Sequence, residues 1–456
     1  MLKFRLLPGT VLVCLMLFFC GGTGNLAAQK MMQADDVKID GSTKLEIIDS
    51  VMKTIEDVYV FPDVAVRMDK YVRGQFKKGA YDEIENAGEF TAKLTEDLRS
   101  ISHDRHLGVA HLPMMTAEDI MDFDSLPADV KKQRRDQMVK RGQARNFGWN
   151  KLEILPGNVG YVKFDGFSDA GYAGQTAVAA LNFLGYVDAL IIDLRENGGG
   201  SPSMVQLISS YFFAESVHLN SFYIRKEDTT KQFWTQAHIE GPRLTDVDLY
   251  ILTSSYTFSA AEEFTYNLKN LERATIIGET TGGGAHPVEE HGFLNLKVGV
   301  RVPFGRAVNP ITGTNWEGTG IEPDIQVPAD QALEVAHLEA LKELKNKIED
   351  QDRLASLNWD IEIMDARLNP VDVDQKLLRD YAGSYGPRQV NYKEGALFYS
   401  RDGRAEKKLT ALSQDTFIIE DVDYFKMKFV RDDDGDISHI LGIYKQGHTD
   451  RSDRDN

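Results

Sequence analysis

Apolar residues recur at three- and four-residue steps through Leu45, Ile47, Ile48, Val51, Met52, Ile55 and Val58, and again at Phe90, Leu94, Leu98 and Ile101. That period is the stripe of an amphipathic helix. Residues 43–112 are therefore predicted to form a small N-terminal helical domain. Residues 29–42 are polar and lack any period. Residues 113–148 are charged, and the basic cluster Lys131, Lys132, Arg134 and Arg135 reads as a solvated helix face. The stretch is too short for an inserted domain of ordinary size.

From residue 150 to about 330 the period switches back and forth. Val159-Gly160-Tyr161-Val162-Lys163-Phe164, Leu249 to Leu252 and Ala274 to Ile277 read as strands. Ala189-Leu190-Ile191-Ile192-Asp193-Leu194 is a nearly continuous apolar run, as expected at the centre of a covered sheet. Helical segments at 170–184, 203–213 and 260–271 separate the strands, so the prediction for 150–330 is an α/β core with crossover connections. Residues 331–369 are predicted to be a helical spacer. Beyond Pro370, Tyr381, Tyr385, Val390, Tyr392, Leu397, Tyr399, Leu409, Phe417, Ile419, Phe425, Met427 and Phe429 mark short alternating strands between Gly and Asp turns. Residues 370–450 are predicted to form a small all-β domain. Asp432-Asp433-Asp434-Gly435-Asp436 lacks the distal Glu of a calcium loop and reads as a hairpin turn.

The chain has 456 residues, too many for one ordinary core. Its net charge of −18 argues against nucleic acid and anionic membrane surfaces as partners. Lys3 and Arg5, the apolar run Val11 to Phe19, and small residues leading to Ala27-Ala28 form an export signal over residues 1–28. The apolar run is too short to span a bilayer, so no membrane span is expected in the mature chain, which would be periplasmic or extracellular. Cys14 and Cys20 both lie inside that segment, which leaves no mature disulfide, thiolate metal site or cysteine nucleophile. A lipid anchor on Cys20 is disfavoured because Phe18 and Phe19 precede it where small residues belong.

The candidate chemistry centres on Thr253-Ser254-Ser255-Tyr256-Thr257-Phe258-Ser259-Ala260-Ala261-Glu262-Glu263-Phe264. Ser259 falls between a strand and a helix, at the N-cap. There the unpaired N–H groups and the helix dipole favour negative charge. A bare cap is the plain reading; a nucleophile is the sharper one. Asp193-Leu194-Arg195-Glu196-Asn197-Gly198-Gly199-Gly200 follows the buried strand, and consecutive glycines let backbone N–H groups approach a ligand. Gly200 and Ala260 are the candidate oxyanion donors. The stretch lacks the Gly-Lys-Ser/Thr ending of a phosphate loop. Ser102-His103-Asp104-Arg105-His106-Leu107 and Trp316-Glu317-Gly318-Thr319-Gly320-Ile321-Glu322-Pro323-Asp324 complete the set.

Taken together with the Gly278-Glu279-Thr280-Thr281-Gly282-Gly283 turn, these stretches resemble, in order, the tail-specific, C-terminal-processing serine peptidase family over residues 43–340. The resemblance implies a ClpP/crotonase-like core and a serine-type endopeptidase of bacterial origin, acting on proteins or peptides without metal or cofactor. One design in that family pairs the serine with a downstream lysine; Gly282 to Pro287 contains none, and Lys269 and Lys297 are misplaced. The tricorn-core design uses a histidine from the helical domain and a glutamate before the Gly-x-x-Pro-Asp ending, which His106 and Glu317 match. His106 would be the general base, Glu317 its orienter and Ser259 the acylated residue. The tricorn pattern has a serine just before the histidine, where this chain has Arg105. His286 is the alternative base.

The Gly-Gly-Gly-Ala-His-Pro turn is similar to the branch of interphotoreceptor retinoid-binding protein. That similarity implies a second reading, a non-catalytic carrier of hydrophobic ligands on the same scaffold. A lipase or esterase would want a Gly-x-Ser-x-Gly elbow, which is absent. Tyr381 to Pro387 with Leu397 to Tyr399 resembles lipocalin-like modules appended to secreted hydrolases. The oligomeric state stays open.

Overall fold

The computed structural model describes residues 37–121 and 125–455. The expected export signal, with Cys14 and Cys20, lies outside the described residues. The chain forms two compact units. The first takes the described residues up to Leu152 together with Val162–Gly185 and Ile192–Ala329; the second takes Glu153–Tyr161, Tyr186–Ile191 and the chain from Asp330.

In the first unit, helices span Gly41–Val58, Pro62–Lys77 and Ala87–Ser102. Asp40 caps the first by accepting from the Thr43 N–H, Asn86 caps the third through the Glu89 N–H, and Pro62 opens the second, where its missing donor costs nothing. Ile47, Ile48, Val51, Met52 and Ile55 face Met68, Val72, Phe90, Leu94 and Leu98, all buried. Each such side chain contributes about 1.5–3 kcal/mol. Leu45, part of the apolar period, points outward. Val298, Val300 and Val302, from the strand Val298–Pro303, complete this core. The third helix ends at His103, whose left-handed backbone turns the chain into Asp104–His106.

The helix Ala128–Gln143 carries the basic cluster and buries none of its residues. The central sheet has six strands in the order Ile325–Gln326, Thr275–Gly278, Asp248–Thr253, Ala189–Asp193, Val159–Phe164 and Trp149–Leu155. Thr275–Gly278 pairs parallel with both Asp248–Thr253 and Ile325–Gln326. All five residues of Ala189–Asp193 are buried. Helices Ala170–Phe183, Pro202–Ser209 and Ala260–Asn270 supply the crossovers. The loops after Asp193 and Thr253 therefore leave the carboxyl ends of neighbouring strands, where open α/β sheets place ligands.

In the second unit, helices Ala332–Lys347 and Gln351–Leu368 lead into an eight-stranded sheet. Its strands pair antiparallel in chain order from Gly383–Tyr385 to Thr449–Asp453. The Asp455 N–H donates to the Ser384 carbonyl at 2.9 Å, which returns the chain end to the first strand and makes the sheet barrel-like. Its interior is filled by Tyr385, Val390, Phe417, Met427, Phe429 and Ile440, with the Tyr381 ring stacked on Phe429 at 4.2 Å. Asp432 to Asp436 forms a hairpin turn closed by the Asp432 N–H and the Asp436 carbonyl.

Candidate active site

The turn between Thr253 and Ser259 is tied to the glycine loop by its small polar side chains. Thr257 Oγ1 donates to the Leu194 carbonyl at 2.8 Å and Ser254 Oγ to the Arg195 carbonyl at 2.5 Å. The Phe258 N–H donates to the Asn197 carbonyl. Ser259 emerges at φ 55, ψ −121 as N-cap of Ala260–Asn270. A non-glycine residue held in so sparse a region costs about 1–3 kcal/mol and persists only where its surroundings over-determine it. Here the Glu262 carboxylate does so, accepting the Ser259 N–H at 2.9 Å.

The buried Glu262 also accepts from Thr281 Oγ1 at 2.5 Å and from the N–H groups of Gly283 and Gly284 at 2.7 and 2.9 Å. It joins the serine turn to the second glycine turn. Burial pushes its carboxyl up, against the pull of those donors. Its position was legible as the Ser-x-x-Glu spacing of a capping box, yet the sequence reading passed over it.

The first glycine loop is shaped by proximity. A Cβ on Gly199 would lie 2.7 Å from Ser259 Cβ and 2.9 Å from the Ala260 nitrogen, and one on Gly200 would lie 2.2 Å from the Phe167 carbonyl oxygen. Only glycine fits either place. The Gly199 N–H is committed to Asn197 Oδ1 at 2.9 Å. Gly199 is thus the residue that abuts the serine, and Gly200 follows it in a bridge with Phe167.

His106 is buried, its ring 4.7 Å from that of Phe258, the residue before Ser259. Its Nδ1 has no partner among the described residues. Burial pushes its pKa down to about 4, against the pull of Asp104. His103 is exposed and His111 lies in the strand Gly108–His111. Arg105, which stands where the tricorn pattern has serine, turns instead toward the second glycine turn. It donates to the Gly282 carbonyl at 2.6 Å and lies over the Phe258 ring. Lys269 bonds the Glu322 carbonyl and Lys297 the Met115 carbonyl, which commits both away from the serine turn.

Behind His106 lie two carboxylates and a second imidazole. Asp104 Oδ1 accepts the His106 backbone N–H at 3.0 Å, and its Oδ2 accepts from Tyr59 Oη at 3.3 Å and pairs with His286 Nδ1 at 2.6 Å. Glu317 Oε2 accepts the Ala285 N–H at 2.6 Å and lies 3.5 Å from His286 Nδ1. Its other oxygen is buried without a partner among the described residues. Burial and the neighbouring Asp104 raise Glu317 to about 7, against His286. Burial works against charge on His286, but the bond to Asp104 and the two carboxylates raise its pKa. Asp104, lowered by His286 and His106 in spite of its burial, is the member that the sequence reading did not assign.

One donor atom each from Asp104, His106 and Glu317 lies within 4.8 Å of the others. Both Asp104 oxygens accept hydrogen bonds, which links the cluster into a network of two carboxylates and two imidazoles that can pass protons.

The signature of peptidase family S41 matches residues 158–327, and that of the N-terminal domain of peptidase S41 in eukaryotic IRBP matches residues 29–141. A tail-specific protease of Haemophilus influenzae is 27% identical over 155 residues, 31% of this chain and 20% of that protein. A carboxyl-terminal-processing protease of Synechocystis is 32% identical over 127 residues, 28% of each chain. The match thus spans between a fifth and under a third of those relatives. Among solved structures, a putative peptidase from Parabacteroides merdae is similar with a TM-score of 0.45 and 19% identity, covering 66% of this chain and 97% of that one.

Proposed function

The chain belongs to peptidase family S41, and we propose that it is an exported bacterial serine endopeptidase cleaving proteins or peptides. Ser259 is its nucleophile, His106 its general base and Glu317 the carboxylate that supports the base. The observation that carries this reading is the strained backbone of Ser259 at a helix N-terminus, packed on Gly199 and one residue from the ring contact with His106.

Burial keeps His106 neutral at pH 7, as a base must be. It takes the Ser259 Oγ proton as Oγ bonds to the scissile carbonyl carbon. The N–H groups of Gly200 and Ala260 receive the developing oxyanion. His106 then returns the proton to the leaving amine, leaving an acyl-enzyme, and water repeats the sequence to release the acid. Glu317, beside the cluster, stabilises the imidazolium.

The fold reading beside this is a ClpP/crotonase-like core over 150–330, an N-terminal helical domain over 43–112, a helical spacer over 331–369 and a lipocalin-like module over 370–450. Export rests on residues 1–28 and places the mature chain in the periplasm or outside the cell. No helix among the described residues is long and apolar enough to cross a membrane.

Labelling of the mature protein with a fluorophosphonate, followed by peptide mapping, tests the reading. The expected result is an adduct on Ser259 that Ser259→Ala abolishes. A folded protein that takes no adduct would replace the peptidase by the carrier of hydrophobic ligands.

A further inference from the structure

We propose that Asp104 and His286 are a buried positioning pair, in which Asp104 seats the His106 segment and holds the His286 ring beside Glu317; His286 is not a second base. This rests on the peptidase reading. The geometry that carries it is a single carboxylate with both oxygens in use. Oδ1 holds the backbone N–H of His106, and Oδ2 holds the His286 ring at 2.6 Å, 182 residues away in sequence. Asp104 and His286 are both almost wholly buried. A buried charge without a partner costs several kcal/mol, so neither residue keeps its charge without the other.

His286 is held through its Nδ1, its ring and its neighbouring peptide. Its Nδ1 faces Asp104 and Glu317, the Phe61 ring meets its ring edge-on at 5.4 Å, and the neighbouring peptide is held by the Ala285 N–H bond to Glu317. A general base must present a free lone pair to the serine hydroxyl. The bond from His286 Nδ1 to Asp104 is also one that a triad base could make, so place decides: it is the His106 ring that borders Phe258, the residue before Ser259, and His106 Nδ1 has no partner among the described residues. The two imidazoles divide the work: one stays neutral and free, the other charged and bound.

The charged groups around the pair set the sign. Glu317 faces Asp104 and Glu262, which disfavour its ionisation, and His286, which favours it. Arg306 weakly opposes the His286 charge, and Arg301 and Arg99 oppose charge on His106. Of these, His286 is the cation 3.5 Å from Glu317 Oε2. Removing it raises the Glu317 pKa, so the ionised carboxylate, and with it activity, requires a higher pH.

The test is the pH profile of peptide hydrolysis by the mature protein and its variants, with folding checked by circular dichroism and thermal unfolding. The acid limb of the wild-type kcat/KM is expected near pH 7, where Glu317 titrates, and not near 4, where His106 does. His286→Gln keeps a donor for Asp104 but no charge; it is expected to move the acid limb up by about one to three pH units. Asp104→Asn is expected to lower kcat about 100-fold with little change in KM, because the base is displaced while substrate binding is not. An acid limb near 4, a His286→Gln profile that does not move, or an Asp104→Asn kcat equal to wild type would each overturn the proposal. So would a His286→Gln variant as inactive at every pH as Ser259→Ala, which would make His286 the base. If Asp104→Asn does not fold, the wild-type limb and His286→Gln decide. A wild type that neither cleaves peptide nor takes fluorophosphonate overturns the peptidase reading instead.

Discussion

Glu262 and Glu263 are adjacent residues of one helix with opposite fates. Glu262 receives four hydrogen bonds and joins two turns. Glu263 is buried with one long bond, from Asn220 Nδ2 at 3.3 Å, and burial pushes its pKa up to about 7. Its folded pKa thus stands above its unfolded value. The stability it contributes is present below the unfolded pKa and is lost as pH rises toward 7. Glu263→Gln removes the titration, and its amide can donate to Asn220 Oδ1, which has no partner among the described residues. The variant is expected to be more stable than wild type by about 3 kcal/mol at pH 8 and by only about 1 kcal/mol at pH 5. Urea unfolding at both pH values checks this; an equal difference at the two would show that Glu263 does not titrate between them.

At the scale of elements, the glycine turn 281–287 works by closeness. A Cβ on Gly284 would lie 2.2 Å from Phe258 Cζ and 2.7 Å from His106 Cε1. Gly284→Ala must therefore push the ring beside the nucleophile, the base, or both. It is expected to lower kcat/KM by about 100-fold and stability by about 1–3 kcal/mol. Gly318, in the loop that carries Glu317, has φ 72 and nothing within 4 Å of its would-be Cβ. Gly318→Ala is expected to cost about 1–2 kcal/mol of backbone strain alone. Comparing kcat/KM and Tm of the two variants separates crowding from strain, and equal losses would refute the distinction. The helices here were readable from their period, since Ile47 to Ile55 do face the core. The outward Leu45 was not, because an isolated apolar residue tolerates water and a three-to-four step cannot tell the rim of a stripe from its centre.

At the scale of the whole molecule, the second unit is built around a buried cation. Arg388 is 1% exposed inside the eight-stranded sheet, where its guanidinium binds both oxygens of Asp450 and Ser452 Oγ. Arg388→Ala leaves a cavity, while Asp450, 39% exposed, keeps water and Tyr444 Oη; a loss of about 2–5 kcal/mol, from the cavity, is expected. Arg388→Met fills the volume without charge, and its loss is expected to be smaller. Thermal unfolding measures both, and an alanine variant as stable as the methionine one would sink the argument. The alternating aromatic positions announced these strands. They did not announce the arginine, because a basic residue in a short β segment reads as solvent-facing until the pairing brings it inside.

The sequence by itself determined what depends on neighbours along the chain. Helical and alternating periods, the strand-to-helix junction at Ser259, the glycines that follow Asp193 and the family signature are all local patterns. Tertiary structure alone decided which charges meet. Asp104 finds His286 across 182 residues and Arg105 turns to Gly282 across 177, while Glu317 settles beside Ala285 and His286. The physical reason is that ionisation in a buried site is set by groups within a few ångströms in space. A one-dimensional pattern records the spacing of those groups but not the path that brings them together.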